Sequence, residues 1–273
     1  MSRVFQANMF RLRKSRLFWW AVILTAPVTA GFVLLDSSAI NGSITDYELE
    51  NIALSGAPLV QLVCAAVIVL FIGTDNSQNT IRSKLIVGNE RKGIYFANVL
   101  TGIIIGCSVN AAWLVGGLSG VPILGFWKME PAKAFMYIIM SFVSTISISA
   151  FAALIGVLVQ RRSAAIVTAF MSVLVLILCA GSIYDRLSNN EEDTTMNFVD
   201  GQPVFELVKN PDYVGGPVRM AFELALNVNP MGVSVLLSNR DLDDPTASLV
   251  GTAFITIFVS SLGAAVFRRK DLR

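Results

Sequence analysis

The chain has 273 residues, 54% of them hydrophobic and 15% charged, and its mean hydropathy is +0.65. Soluble domains carry about 25% charged residues, so this chain cannot clothe itself in a hydrated surface, and a soluble globular enzyme is excluded. No histidine occurs anywhere, which removes imidazole acid–base catalysis, the common His metal sites and His-based pH sensing.

The apolar residues fall in long runs. A helix rising 1.5 Å per residue needs about 20 of them to cross a hydrocarbon core roughly 30 Å thick. Residues 1–16 read as an interfacial elbow helix, with Val4, Phe5, Met9 and Leu12 set among Arg11, Arg13 and Lys14. Leu17–Leu35 is the first predicted span. Its 19 residues exceed the roughly 7–15 of a signal-peptide core and no clear small-x-small cleavage site follows, so it is expected to be retained.

Leu54–Gly73 is the second span. The segment behind it, GTDNSQNTIRSKLIVGNERKGIYFANVL, offers N-cap candidates from Asp75 to Asn79, and then an apolar patch of Ile81, Leu85 and Ile86 beside Arg82 and Lys84. Gly88 supplies a helical stop and Asn89 a cap for the next helix. The expectation is a short helix across the mouth of the bundle, suited either to an anionic lipid surface or to a docking protein.

Ile94–Trp127 is too long for one straight crossing. Gly116, Gly117, Gly120 and Pro122 place its membrane core at Ala97–Leu118. Ala134–Val159 and Ala164–Tyr184 are the fourth and fifth spans. A large outer loop, 185–246, follows. Its first part, Asp185 to about Gly216, reads as a solvated acidic connector whose carboxylates lack the spacing of a calcium loop. Val218–Ser238 is apolar enough to pass for a seventh span but is broken by Pro230. Pro217–Val228 sets Arg219, Glu223 and Asn227 at i, i+4 and i+8, with Arg219 and Glu223 able to pair along the face. Met231–Leu237 is too short to cross. Residues 217–238 are therefore expected to form a re-entrant helix pair, and Ala247–Phe267 the sixth span.

The expected fold is an all-α membrane protein, a single transmembrane domain over residues 1–273. Charge sets its orientation. Arg3, Arg11, Arg13, Lys14, Arg16, Arg82, Lys84, Arg91, Lys92, Arg161, Arg162, Arg268, Arg269, Lys270 and Arg273 fall on one side, while 16 of the 19 acidic residues fall on the other. By the positive-inside rule both termini are cytoplasmic.

No G-x-x-x-x-G-K-[ST] occurs, so ATP has no P-loop here, and no G-x-S-x-G or HExxH is present. The interiors of the six spans hold no Asp, Glu, Lys or Arg, which argues against a proton-driven pump. No catalytic residue and no metal site are expected. The softly polar Gln61, Asn98, Asn110, Ser141 and Thr145 are candidates for a substrate path or for bonds between helices. The Gly102/Gly106 and Gly116/Gly120 pairs suit close helix contact.

Six spans, an amphipathic N-terminus, a helical segment after the second span, a re-entrant pair before the last span and the closing FRRKDLR together resemble the type-2 ABC exporter permeases. In that family the segment after the second span reads as an acidic residue, then G-T-[LI], then a basic residue a turn or two later. Asp75, Thr80–Ile81 and Arg91 take these positions, with Asp75 where Glu is usual and Asn79 where Gly is usual. The string TIRSKLIVGNERKGIY is most similar to Gram-positive bacterial permeases that move, or protect against, antimicrobial peptides.

The resemblance implies a permease subunit in a bacterial plasma membrane, paired with a second copy or a paralogue. Each permease would dock a separate ATPase carrying ATP and Mg, leaving this chain without cofactor, enzymatic activity or nucleic-acid partner. Asp75, Thr80, Ile81, Arg82, Leu85, Ile86, Gly88 and Arg91 would form the ATPase-coupling segment, and lipid would surround the rest. The substrate class would be amphipathic: a peptide, lipopeptide or drug. A secondary carrier or channel working without ATP, and a membrane sensor or assembly module, are the alternatives.

Overall fold

A computed structural model describes residues 2–39, 53–77, 80–120, 129–199 and 202–269. Most of the acidic 36–53 loop, the 121–127 end of the third predicted span, the side chain of Arg82 and residues 270–273 lie outside the described residues.

Six helices are long and apolar enough to cross a membrane, and the protein is a multi-pass membrane protein. They are α2 (Arg16–Ala39), α3 (Ala57–Ser77), α5 (Arg91–Gly117), α6 (Pro131–Leu158), α7 (Arg162–Ser188) and α10 (Pro245–Arg269). The short helices α1 (Ser2–Lys14), α4 (Thr80–Ile86), α8 (Gly216–Val228) and α9 (Gly232–Asn239) pack at the two ends of this bundle.

α3, α5 and α6 form the centre: 61% of the apolar stretch of α3 and of α6 is buried, against 17% for α7 and 22% for α2 and α10. The tight contacts are made where side chains are smallest. A Cβ on Gly102 would meet Ile68 at 3.2 Å, and one on Gly106 would run into Ser149 and Thr145 of α6. Gly116 sits against the backbone of Ala26 in α2. Small residues allow this approach, and dispersion between backbones then holds the helices together.

α1 is amphipathic, and Val4, Asn8 and Leu12 share its buried face at i, i+4 and i+8. It breaks at Ser15, whose hydroxyl accepts a bond from the Phe18 amide at 3.4 Å and so caps α2. At its start α10 is capped by Asp244, whose Oδ1 accepts from the Thr246 amide at 3.0 Å, the Ala247 amide at 3.1 Å and the Thr246 hydroxyl at 2.6 Å. These bonds, the Thr246 hydroxyl foremost, hold the Asp244 carboxyl below its ordinary range.

One expectation needs correction. The connector after α7 is not irregular: β1 (Glu192–Val199) and β2 (Gln202–Lys209) form an antiparallel hairpin, in register from Glu192 opposite Lys209 to Val199 opposite Gln202. The fold is helical apart from this ribbon among the described residues. β-branched and aromatic residues (Thr194, Thr195, Phe198, Val199, Val204 and Phe205) favour a pleated pair over coil despite the acidic composition. The third span is α-helical to Gly117 and passes into a 3-10 turn over Leu118–Gly120.

α8 and α9 meet at 102° around Asn229–Met231. Asn229 makes the corner. Its side-chain amide donates to the Leu176 carbonyl at 3.0 Å, and its Oδ1 accepts from the Met231 amide at 2.9 Å. Gly232 lies so close to the Leu226 carbonyl that no Cβ fits there.

Candidate functional site

The end of the bundle that carries α1, α4, the start of α5 and the end of α10 holds the one dense charged network among the described residues. Asp75 lies in the last turn of α3 and is 0% exposed. Its carboxylate is paired with Arg11 of α1 and receives Lys84 Nζ of α4 at 2.9 Å. The Thr80 hydroxyl donates to Oδ1 at 2.8 Å. The Arg11 guanidinium also lies 4.2 Å from the centroid of the Phe71 ring.

Lys84 donates a second bond, to Asn8 Oδ1 at 3.0 Å, and Asn8 Nδ2 in turn donates to Asn98 Oδ1 of α5 at 2.9 Å. One buried carboxylate thus ties together α1, α3, α4 and, through Asn8, α5. Two cations face one anion. Burial lowers the Lys84 ammonium to about 8, and the Arg11 guanidinium beside it acts in the same direction. Desolvation lowers Arg11 as well.

α4 ends in a Schellman closure. Gly88 adopts φ +88°, its amide donates to the Leu85 carbonyl at 2.9 Å, and the Asn89 amide reaches the Lys84 carbonyl at 3.3 Å. Asn89 was expected to cap α5. Its side chain instead turns back to the Lys84 carbonyl at 2.9 Å, and Glu90 precedes α5 without a side-chain cap. The back-turned amide gives that carbonyl a second bond at the end of α4.

The structure divides the coupling residues read from sequence into two sets. Asp75, Thr80 and Ile81 (2% exposed) point inward, and Leu85 is half-buried against the same core. Ile86 and Val87 are 86% and 81% exposed and stand at the tip with Gly88. Arg91 bonds the Arg268 carbonyl of α10 at 3.1 Å. Asp75 is not an N-cap. It lies within α3, and the sequence reading that closed the span at Gly73 left it out.

The five path candidates are all buried. Gln61 donates to Thr145 Oγ1 at 3.0 Å, Asn110 and Ser141 exchange bonds at 2.9 and 3.1 Å, and Asn98 belongs to the charged network. Ser144 and Ser234 share a bond of 2.7 Å that fixes α9 to α6. Each joins one helix to another. Gln61 Oε1 and Asn98 Nδ2 are buried without a partner among the described residues.

At the opposite end Arg219 and Glu223 pair at 3.1 Å, and Asn227 accepts from the Ser248 hydroxyl at 2.8 Å. These three residues line a cleft of about 250 Å³ together with Asp241, Asp243 and Asp244. Among the described residues no group of three or more Cys, Asp or Glu is placed to hold a metal ion.

No family model matches this chain, and no curated protein matches it at a significant level. What it does therefore has to be argued from the geometry. Arg11, Asn8 and Lys84 are the members of the network that sequence reasoning did not assign to the site. Their one sequence signal is polar residues (Asn8 and Arg11) spaced a turn apart along an otherwise apolar helix face.

Proposed function

We propose that this chain is the permease subunit of an ATP-driven exporter. It would lie in a bacterial plasma membrane with both termini cytoplasmic, pair with a second permease chain, and move an amphipathic substrate such as a peptide, lipopeptide or drug. A separate ATPase would supply the energy.

The observation that supports this reading is the mounting of α4. The helix is bolted inward through Lys84, Thr80 and Ile81, while its apolar tip, Ile86–Val87, stands bare. A rigid mount with an exposed apolar tip can receive a push from outside the membrane and pass it to α3 and α5 without the helix itself yielding. Asp75 makes that transmission direct, because its partners come from two other helices, α1 and α4. Closure and opening of two ATPase subunits would then bias the permease pair between two arrangements.

The re-entrant geometry of α8–α9 suits this reading too, since a bent pair at that depth is tolerable where protein covers it. The buried hydroxyls and amides of α3, α5 and α6 would serve as sliding contacts between helices rather than as fixed charges in a path.

The test is co-expression with an ATP-binding cassette ATPase encoded beside the chain, followed by detergent pull-down and measurement of ATP hydrolysis. The comparison is wild type against Ile86→Asp/Val87→Asp. ATPase retained by wild type and lost from a double variant of unchanged melting temperature supports the reading. An ATPase that never associates, or that still binds the double variant, overturns it. Flux driven by an ion gradient without ATP would put a secondary carrier in its place.

A further inference from the structure

α5 begins and α10 ends at the same end of the bundle, held together by the bond from Arg91 to the Arg268 carbonyl. Between these two helix ends lies a groove of about 350 Å³. Its lining has two zones, with one hydroxyl, Ser261, a turn deeper on α10. Lys92, Arg268 and Arg269 supply three exposed cations, and Phe96, Ala264 and Ala265 supply an apolar wall. Among the described residues no carboxylate lines it.

The order of the zones is the same on both helices. On α5, Phe96 lies one turn deeper than Lys92. On α10, Ala264 and Ala265 lie one turn deeper than Arg268 and Arg269. Four residues of helix are about 6 Å, so the cations form an outer ring and the apolar wall stands about 6 Å further in. A phospholipid has the same order, with phosphate outside and acyl chain inside. The alanines leave room for a chain, and Phe96 is partly exposed beside them.

We infer that this groove binds an anionic phospholipid, its phosphate held by Lys92, Arg268 and Arg269 and its first acyl carbons laid against Phe96, Ala264 and Ala265. The inference rests on the six-helix membrane fold and not on the exporter reading. A soluble polyanion would use the cations but leave the apolar wall wet. A zwitterionic lipid would bring its own cation against the arginines. General attraction of a basic surface would not distinguish these three residues from the exposed Arg3, Arg13 and Lys14 of α1.

The full chain is purified in detergent and lipid retention is read by native mass spectrometry. Phosphatidylglycerol, phosphatidylcholine and the deacylated headgroup glycerophosphoglycerol serve as probes. At about five-fold per cation near the surface, three cations give wild type up to roughly 100-fold preference for phosphatidylglycerol over phosphatidylcholine at low salt. Lys92→Gln/Arg268→Gln/Arg269→Gln is expected to erase that preference. Arg3→Gln/Arg13→Gln/Lys14→Gln, with the same change in charge, is expected to keep it. Ala265→Phe fills the apolar wall without touching a charge and is expected to weaken lipid binding by about ten-fold, which tests the groove even if the triple variant fails to fold. Equal losses in the two triple variants, no weakening in Ala265→Phe, or deacylated headgroup competing as well as the intact lipid would each overturn the inference.

Discussion

Lys84 Nζ lies 2.9 Å from Oδ2 of Asp75, so α4 is fastened to the end of the preceding span by side chains as well as by the chain itself. The same carboxylate is paired with Arg11, whose side chain keeps a third of its surface exposed. Asp75 is therefore the single anion on which α1, α3 and α4 converge.

Replacing Asp75 by Asn keeps the shape and strands two cations. Loss of one partner of a buried ion pair costs about 3–5 kcal/mol, and the solvent left around Arg11 favours the lower figure. Thermal denaturation in detergent should show the loss for Asp75→Asn. Adding Lys84→Met should restore part of it, because the second change removes one stranded charge. A double variant less stable than Asp75→Asn alone would mean that Lys84 is held by Asn8 and not by the carboxylate.

Stability should also depend on pH through Lys84. Its folded value of about 8 lies below the ordinary 10.5 of lysine. Between these values the unfolded chain binds the proton and the folded chain has released it, so this group makes stability rise with pH across that window. Melting temperatures of wild type and Lys84→Met from pH 7.5 to 10 should converge or diverge accordingly, with the wild type gaining on the variant as pH rises. Parallel curves would show that Lys84 keeps its proton throughout.

Ile81 and Ile86 are five residues apart and should respond in opposite ways. Ile81→Asp buries an unpaired charge where 2% of the side chain is exposed, at a cost of about 4 kcal/mol or more. Ile86→Asp changes a surface residue and should stay within about 0.5 kcal/mol. Expression level and elution profile would separate the two at once.

Glycine content divides the same way. Gly116 packs on the backbone of Ala26, which cannot retreat, so Gly116→Val should cost about 1–3 kcal/mol and loosen α2 from α5. A Cβ on Gly31 meets nothing within 4 Å. Gly31→Ala should therefore be neutral or add up to about 1 kcal/mol through helix propensity. Thermal melts of the two variants side by side give the comparison.

Much of the scaffold was legible because the span signal is local and long. Five of the six long helices begin and end within a few residues of the apolar runs, and the stop at Gly88 and the Arg219–Glu223 pair could be read from spacing alone. The charged network could not. Arg11 and Asp75 are 64 residues apart, and nothing in a single sequence says that two charges so separated will meet. Hydropathy also cut the second span at Gly73, two residues short of the carboxylate that fastens its end. The hairpin was missed for a different reason. Asp200–Gly201 between two runs rich in β-formers is a strong hairpin signal, but the acidic residues ahead of it drew the reading towards coil.

The corner at Asn229 has a consequence for biosynthesis. α8 and α9 are made before α10, yet α10 contributes Ser248, which bonds the Asn227 side chain, and Gly251, which seats against the Asn227 carbonyl. A nascent chain that stops before Pro245 holds a bent apolar pair with one wall missing. The pair gains that wall only when the last helix arrives, so the cleft at this end is completed last, and a truncation of α10 would open it as well as release the bond from Arg91 to Arg268 at the other end.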